Sequence, residues 1–175
     1  MEDFLKHIDY YIDQYDWDKQ VFGLGSEIIK RGYMKKDEFL IICLWKSRRP
    51  KKWYLQNTSE DIERKTKESL QEKDENKKIS ILTELKGVSI PTASALLCVI
   101  NPNDYPIIDE RCVQSLNALG YIKWTTITES NWLEYLKIIR GLGVKYNKLA
   151  REIEKGLFAY NRIQLDKGEL KNLYK

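Results

Sequence analysis

The chain has 175 residues, of which 42% are hydrophobic and 32% charged, so it can fold around one continuous core beneath a heavily solvated surface. Its net charge of +4 is mildly basic and is compatible with a polyanionic partner without requiring one. Its apolar runs are far shorter than a membrane span, and its acidic, aromatic N-terminus lacks the pattern of a signal peptide. The sequence therefore predicts a cytoplasmic protein that does not bind membranes.

The residues that most often build metal and triad sites are scarce. The three cysteines, Cys43, Cys98 and Cys112, lie in apolar stretches and form no pair with metal-ligand spacing, so we expect reduced, mostly buried thiols. His7 is the single histidine and lies near the N-terminus. A structural zinc site and a Ser-His-Asp triad are therefore both disfavoured.

The first half of the chain predicts four helices. Each has apolar residues at helical spacing or is bounded by residues that commonly begin or end helices. A run of charges, Lys73–Lys78, follows them and is predicted to be a solvated loop. The helices are Phe4–Tyr15, Glu27–Arg31 between Ser26 and Gly32, a helix that Asp37 begins and Pro50 ends, and an exposed helix from Thr58 to about Glu72, with a connector over Trp17–Gly25.

The second half predicts further short helices and no strand. Alternating apolar patterns of useful length and internal repeats are both missing from the sequence. We therefore expect one all-α domain over residues 1–175, a compact bundle of roughly eight to ten short helices. The helices are Ile79–Leu85, Pro91–Ile100 after a turn at Lys86–Ile90, Asp109 or Glu110 to Leu119, Thr128–Ile139, and Lys145–Tyr160 beyond Gly141 and Gly143.

The segment Leu82–Val99 carries the most informative pattern. Gly87 permits a sharp turn between two helices, and Val88 is predicted to plug that turn. Residues 89–92 are predicted to present backbone amides at the beginning of a helix, where the helix dipole attracts anions such as a DNA phosphate. Such contacts hold a nucleic-acid backbone but do not read its sequence. An ordinary turn between two packed helices is the alternative.

This segment resembles the helix-hairpin-helix of nucleic-acid enzymes. Downstream, Tyr105-Pro106-Ile107-Ile108-Asp109 resembles a string found in adenine mismatch glycosylases, within the helix-hairpin-helix DNA glycosylase superfamily. The resemblance implies a fold of that type, with the hairpin at residues 80–100 and the loop of a catalytic aspartate at residues 101–111. It implies double-stranded DNA as the partner and base excision repair as the process.

In that family the aspartate is catalytic, and here it corresponds to Asp109. Cleavage of an N-glycosidic bond builds positive charge on the deoxyribose, which a carboxylate in a partly dry site stabilises while it activates water. The target base must first leave the helical stack, because the bond cannot be reached there. A plain helix N-cap is the alternative role for Asp109, and the two roles are compatible.

Basic residues supply the candidate DNA contacts. The segment Lys46–Tyr54 mixes basic and aromatic side chains and is predicted either to line a DNA groove or to form a solvated loop. Arg111 is predicted either to bind a phosphate or to form a surface salt bridge. The predicted DNA-binding residues are Lys86, Gly87, Ser89 and Thr92 in the hairpin, Arg48, Arg49 and Lys52 in the basic segment, and Arg111.

The sequence also departs from that family. Bifunctional members carry a lysine that forms a Schiff base with the sugar, and Pro91 occupies that position here, so we expect hydrolysis without a lyase step through the usual lysine. Three cysteines cannot supply a four-cysteine iron–sulfur cluster, so no cluster and no required cofactor are expected. By the resemblance, the backbone carbonyls of Thr83, Leu85 and Val88 hold a monovalent cation, K+ or Na+.

Two other functions remain open at this level. A protein with the glycosylase fold can bind DNA without cutting it, and the shortened stretch between the Asp37 helix and the hairpin favours that reading. A protein-interaction scaffold without any DNA role is the third reading. We expect a monomer in each case, with Trp124, Trp132 and Tyr135 in the core.

Overall fold

The computed structural model describes residues 2–16 and 21–168. Within these ranges it contains α-helices and one 3₁₀ helix but no strand, which confirms the predicted all-α class. The elements are α1 Glu2–Lys6, α2 Ile8–Asp13, the 3₁₀ helix Val21–Leu24, α3 Gly25–Arg31, α4 Lys36–Lys46, α5 Lys51–Tyr54, α6 Ser59–Gln71, α7 Glu75–Thr83, α8 Ile90–Ile100, α9 Glu110–Ala118, α10 Glu129–Tyr146 and α11 Ala150–Asp166.

Helix α8 lies at the centre of the bundle. Its residues from Thr92 to Ile100 are all buried, because α3, α4, α7 and the 3₁₀ helix pack around it. Gly25 leaves no room for a side chain against the Val99 carbonyl, so α3 approaches α8 at backbone distance. Because α8 is enclosed on these sides, it also holds in place the turn that joins it to α7.

Helix α11 organises the other side of the molecule. It packs against α2, α9 and α10, and Ser115 Oγ on α9 donates a hydrogen bond of 2.7 Å to the Leu157 carbonyl. As predicted, Trp132 and Tyr135 are fully buried, and Trp124 is partly buried against the same core. The two sides share one continuous hydrophobic cluster, so they are held together by a common core.

The N-terminal prediction of one helix over Phe4–Tyr15 was wrong. The chain forms α1 and α2 with a break at His7. The break lies between Phe4 and Ile8, which both pack beside Gly156, a glycine of α11 that leaves them space. Of the predicted connector Trp17–Gly25, residues 17–20 lie outside the described residues, and the remainder forms the 3₁₀ helix and the first residue of α3.

The predicted loop Lys73–Lys78 was also wrong, because it contains the beginning of α7. The Asp74 side chain accepts hydrogen bonds from the backbone N–H groups of Asn76 and Lys77, both at 2.9 Å. An aspartate at the N-cap satisfies amides that would otherwise lack partners, so the charge run begins a helix. The short helix α5 was not predicted.

The break predicted at Gly141 and Gly143 lies further along the chain. Helix α10 continues to Tyr146 and ends at Asn147, whose φ of 52° is left-handed. Gly143 stays helical and admits the returning chain, since a Cβ there would lie 2.7 Å from the Lys148 carbonyl oxygen. The last helix therefore begins at Ala150, five residues after its predicted start at Lys145.

Two helix beginnings differ slightly from the prediction. Helix α3 begins at Gly25, ahead of the predicted cap Ser26, and α4 begins at Lys36, ahead of Asp37. At α4 the Glu38 carboxylate accepts the Lys35 N–H at 2.8 Å, which replaces a cap from Asp37. The three cysteines are buried, as expected, and none of them forms a disulfide bond. None of the described helices is both long and apolar enough to cross a membrane.

Candidate active site

The turn between α7 and α8 has the geometry that its sequence predicts. The Val88 N–H donates to the Leu85 carbonyl at 3.0 Å, and Val88 is buried in the core. Gly87 has a φ of 83°, a region that favours glycine. A Cβ at Gly87 would also lie 2.9 Å from the Trp53 Cβ, so both backbone conformation and space require glycine here.

Asn57 fastens this turn from outside the hairpin. Its amide nitrogen donates to the Lys86 carbonyl at 3.0 Å, and its amide oxygen accepts the Lys86 N–H at 2.8 Å. The same nitrogen donates to the Tyr54 carbonyl at 3.0 Å, which ties α5 to the turn. Asn57 was missed by sequence reasoning, because no local pattern links residues so far apart in the chain.

The three carbonyls implied as cation ligands lie on this turn. The Leu85 carbonyl already accepts the Val88 N–H, which leaves one of its two lone pairs for an ion. The hydrogen bonds from Asn57 close the turn without any ion. Binding of a monovalent cation by the carbonyls of Thr83, Leu85 and Val88 stays a prediction.

The beginning of α8 contributes Ser89, Pro91 and Thr92 to the lining of a cavity at the protein surface. Ser89 is the N-cap residue and is exposed, while Thr92 is buried and its hydroxyl lies 3.3 Å from the Tyr54 hydroxyl. Pro91 occupies the first turn and has no N–H, so it removes one of the amides expected there. The other amides of the first turn, those of Ile90 and Thr92, have no hydrogen-bond partner within the helix.

Asp109 is the N-cap residue of α9 and lines the same cavity. Its backbone is extended, with a φ of −147°, and its Oδ1 accepts the Cys112 N–H at 3.0 Å. Its Oδ2 accepts a hydrogen bond of 3.3 Å from the Lys46 ammonium. The residue is thus an N-cap through one oxygen and part of an ion pair through the other.

The carboxyl of Asp109 stays ionised in this setting. Burial opposes its ionisation, but the Lys46 charge and the Cys112 amide outweigh burial and hold the pKa of Asp109 below its ordinary value. The Asp109 side chain is 18% exposed and that of Lys46 17%, so the pair is shielded yet open to the cavity. Lys46, which sequence reasoning placed only in a basic run, is the direct partner of the predicted catalytic residue.

A wide cavity of about 520 Å³ collects six of the nine residues predicted for catalysis and DNA binding. Residues from the end of α4, the beginning of α8 and the beginning of α9 meet there. The charged residues of its lining are mostly basic, with Asp109 and Glu110 as the acidic ones. The lining includes Arg48, Arg49, Ser89, Thr92, Asp109 and Arg111, together with Lys46, Pro91 and Phe158.

The other predicted DNA-binding residues lie outside that cavity. Lys86 is exposed on the turn, and Gly87 packs beneath it against Trp53. Lys52 lies over the Trp53 ring, with its Nζ 5.0 Å from the ring centroid. These residues border the hairpin but do not line the cavity beside Asp109.

Arg111 lines the wide cavity, and its side-chain contacts are with an amide and an aromatic ring. Its guanidinium donates to Asn161 Oδ1 at 3.3 Å and lies 5.3 Å from the centroid of the Phe158 ring. These neutral contacts orient the side chain while its charge stays available for an anion. Arg111 therefore does not form the surface salt bridge that was one of its two predicted roles.

A smaller cavity of about 210 Å³ adjoins the same ion pair. Asp109 and Lys46 line both cavities, so they stand where the two meet. Aromatic side chains form much of the wall, and the buried ion pair between Arg151 and Glu154 lies among them. The lining is Tyr15, Trp45, Lys46, Ile107, Asp109, Arg151, Glu154 and Phe158.

Three potential metal ligands, Asp109, Cys112 and Glu154, come within 4.8 Å of one another in this region. Each carboxylate already has a cationic partner, Lys46 for Asp109 and Arg151 for Glu154. Burial raises the pKa of the Cys112 thiol well above its ordinary value, so the sulfur stays protonated. The cluster is a hydrogen-bonded ion-pair network, which suits it to polar recognition.

Comparisons with known proteins gave one similar structure. No protein-family model and no curated protein matches the chain. The chain is similar to the crystal structure of the Methanocaldococcus jannaschii 8-oxoguanine glycosylase/lyase in complex with a 15mer DNA containing 8-oxoguanine. The identity is 20%, the match covers 98% of this chain and 83% of that chain, and the TM-score is 0.44.

Proposed function

We propose that this protein removes a damaged or mismatched base from duplex DNA by hydrolysis of the N-glycosidic bond. The observation that carries the proposal is the position of Asp109. An ionised carboxylate stands between a wide basic cavity and a small aromatic one, beside the beginning of a buried helix. A nucleotide whose phosphates occupy the first cavity and whose base occupies the second would place its sugar beside this carboxylate.

The wide cavity would hold the DNA backbone. Arg48, Arg49 and Arg111 supply positive charge, and the amides at the beginning of α8 supply directed donors for a phosphate. Lys52, Lys86 and the Gly87 turn would extend this contact along the strand. Such contacts position duplex DNA without specifying a sequence, as the search for a rare base requires.

The small cavity would receive the flipped base. Its volume of about 210 Å³ lies below the roughly 300–1,000 Å³ of pockets for drug-sized ligands and suits a single planar ring system. Trp45 and Phe158 offer faces for stacking, and the Arg151–Glu154 pair offers donors and acceptors for the polar edge of a base. The choice of base would be made by these side chains.

Asp109 would carry the chemical step. As the bond to the base breaks, positive charge develops on the sugar, and a nearby carboxylate stabilises it more strongly in a shielded site than in water. The same carboxylate can accept a proton from the attacking water. Its lowered pKa keeps it in the charged form that both tasks need at neutral pH.

Several features accompany this proposal. The carbonyls of Thr83, Leu85 and Val88 would hold K+ or Na+, and an ion there would add positive charge near the bound phosphate. No iron–sulfur cluster and no other cofactor are needed for the reaction. The protein would act as a monomer within base excision repair.

A second function, DNA binding without catalysis, is favoured by one observation. The Lys46 ammonium neutralises Asp109 at 3.3 Å and would compete with the cationic sugar for its carboxylate. A protein that kept the basic cavity and lost the chemistry would have this arrangement. Activity on lesion-containing DNA separates the two functions.

The test is a panel of duplexes, each with one lesion or mismatch, incubated with the protein and then split for hot-alkali treatment. Alkali-dependent cleavage of one duplex, lost in Asp109→Asn, supports the proposal and identifies the substrate. Asn also caps helices, so this variant removes the charge while α9 keeps its cap. Salt-sensitive duplex binding without cleavage across the panel indicates the non-catalytic binder.

A further inference from the structure

Ser94 joins the beginning of α8 to the backbone that leads into Asp109. It lies near the beginning of α8 and is fully buried. Its hydroxyl donates to the Pro91 carbonyl at 2.9 Å and accepts the Ile108 N–H at 3.1 Å. Pro91 lines the wide cavity and Ile108 immediately precedes Asp109, so one hydroxyl links two elements that meet at the candidate site.

The same stretch of backbone is held from a second direction. The hydroxyl of Tyr135, on α10, donates to the Ile107 carbonyl at 2.8 Å, and both residues are buried. Ile108 is fully buried as well, so its N–H is shielded from water and needs a partner within the protein. Ser94 supplies that partner, and the two hydroxyls together fix the backbone at the residues before Asp109.

We propose that Ser94 is a positioning residue, which holds Asp109 at a fixed distance from the beginning of α8 and therefore from a DNA phosphate bound there. The proposal rests on the proposed function for the phosphate and for the chemistry of Asp109. It goes further, because Ser94 lines neither cavity and would act only through the backbone of Ile108.

Loss of the Ser94 hydroxyl would change the path of this backbone. A buried N–H without a partner is costly, so the peptide at Ile108 would turn toward another acceptor and Asp109 would move with it. A misplacement of about 1 Å at a reacting group can slow a reaction by about 10²-fold. The rate of base release is therefore expected to depend on Ser94 more strongly than DNA binding does.

Thr66 makes the same two kinds of hydrogen bond elsewhere in the fold. Its buried hydroxyl donates to the Ile62 carbonyl in its own helix, α6, at 2.7 Å and accepts the Met34 N–H at 2.9 Å. Thr66 also lines neither cavity. Thr66→Val therefore removes an equivalent buried hydroxyl and is the matched control for Ser94→Ala.

The first experiment compares base release with duplex binding. In single-turnover conditions with a lesion duplex, Ser94→Ala should release the base about 10- to 100-fold more slowly than the unmodified protein. Its affinity for the duplex, measured by fluorescence anisotropy, should stay unchanged, and Thr66→Val should keep the original rate. Ser94→Cys retains a weak acceptor and should have an intermediate rate. Equal slowing in Ser94→Ala and Thr66→Val, or the original rate in Ser94→Ala, would overturn the inference.

The second experiment uses the protein without DNA. The Cys112 N–H donates to Asp109 Oδ1 at 3.0 Å, so its protection from hydrogen exchange, measured by NMR, reports the place of the carboxylate. The Cys112 amide should lose protection in Ser94→Ala and keep it in Thr66→Val. In the unmodified protein the Ile108 amide should exchange slowly, which tests the link even if a variant fails to fold.

The two experiments separate this inference from the proposed function. If the unmodified protein releases no base from any duplex, the proposed function fails, and the protection of Cys112 alone decides whether Ser94 positions Asp109. If base release occurs but Cys112 stays protected in Ser94→Ala, the inference is overturned while the proposed function stands. Exchange of the Ile108 amide as fast as that of an exposed amide would overturn the inference in the same way.

Discussion

The negative charge of Asp109 contributes to the stability of the folded protein as well as to the proposed chemistry. Its pKa in the folded protein is below the ordinary value of 3.8, so folding favours the ionised form. The resulting stabilisation is fully present above that ordinary value and is lost as pH falls through the lower folded pKa. The ion pair with Lys46 thus stabilises the protein at neutral pH.

This reasoning predicts a pH-dependent effect of Asp109→Asn. At pH 7 the variant should have a free energy of unfolding about 1.5 kcal/mol lower, the scale of a hydrogen bond to a charged group. The difference should shrink as the pH falls below 3.8, because the Asp109 carboxyl of the original protein then becomes neutral too. Urea unfolding across a pH series measures it. A difference that stays constant through the acidic range would contradict this account of the pair.

Asn57 stabilises the hairpin turn through its side-chain amide. Asn57→Ala removes both hydrogen bonds to Lys86 and leaves part of the turn backbone without partners. We expect a loss of about 1–3 kcal/mol in unfolding free energy and weaker duplex binding. Gln56→Ala, at the exposed neighbouring position, serves as the control. Equal stability of the two variants would show that the turn does not need Asn57.

At the scale of single residues, linear patterns located some of the site. The string before Asp109 and the position of Gly87 are readable in sequence because their signals are local. Asn57 and Lys46 carry no such signal, since their partners lie 29 and 63 positions away and their bonds depend on how α4, α5 and the turn pack.

The elements around the turn require glycine at position 87 for two separate reasons, which two substitutions can separate. Gly87 and Gly32 have nearly the same positive φ, 83° and 82°. A Cβ at Gly32 meets nothing within 4 Å, whereas one at Gly87 would lie 2.9 Å from Trp53. The comparison isolates the close approach of α5 to the hairpin.

We expect Gly32→Ala to lower the free energy of unfolding by about 1–2 kcal/mol, the cost of the left-handed backbone. Gly87→Ala should cost a further ~1 kcal/mol or more, because α5 must shift. Chemical denaturation of both variants measures the difference. If they are equally stable, α5 does not press against the turn as described.

Helix boundaries were predictable where a local signal dominates and were missed where packing or a hidden cap decides. Asp74 lies inside a run of charges whose composition indicates a loop, yet its side chain caps α7. Gly143 is typical of a helix end, yet α10 continues through it because the returning chain needs the space. A local cap therefore decided the first segment, and a tertiary contact decided the second.

For the whole molecule, the net charge of +4 matters less than where the arginines lie. Arg48, Arg49 and Arg111 line one cavity beside Asp109, although Arg111 is far along the chain from the other two. The sequence could predict the all-α class from helical periodicity. It could not predict the small cavity, because Tyr15, Trp45 and Arg151 are far apart in the chain and meet only in the folded protein.

This distribution predicts the salt dependence of duplex binding. Each phosphate that the protein neutralises contributes about 0.9 to the slope of log affinity against log salt. Arg48→Ala should therefore reduce the slope by about 0.9. Arg64→Ala should leave it unchanged, because Arg64 pairs with Asp61 at 3.0 Å and lines neither cavity. Fluorescence anisotropy over a salt series measures both, and equal slopes for the two variants would place the DNA elsewhere.

The central claim is that Asp109 breaks the glycosidic bond, and the rate of free-base release tests it most directly. Asp74 is the matched control, since it also caps a helix through its carboxylate but lies away from both cavities. With a lesion duplex in single-turnover conditions, Asp109→Asn should slow base release by about 10²–10⁴-fold, the usual contribution of a positioned acid or base. Asp74→Asn should release the base at the original rate. Base release by Asp109→Asn at the rate of the unmodified protein would contradict the account.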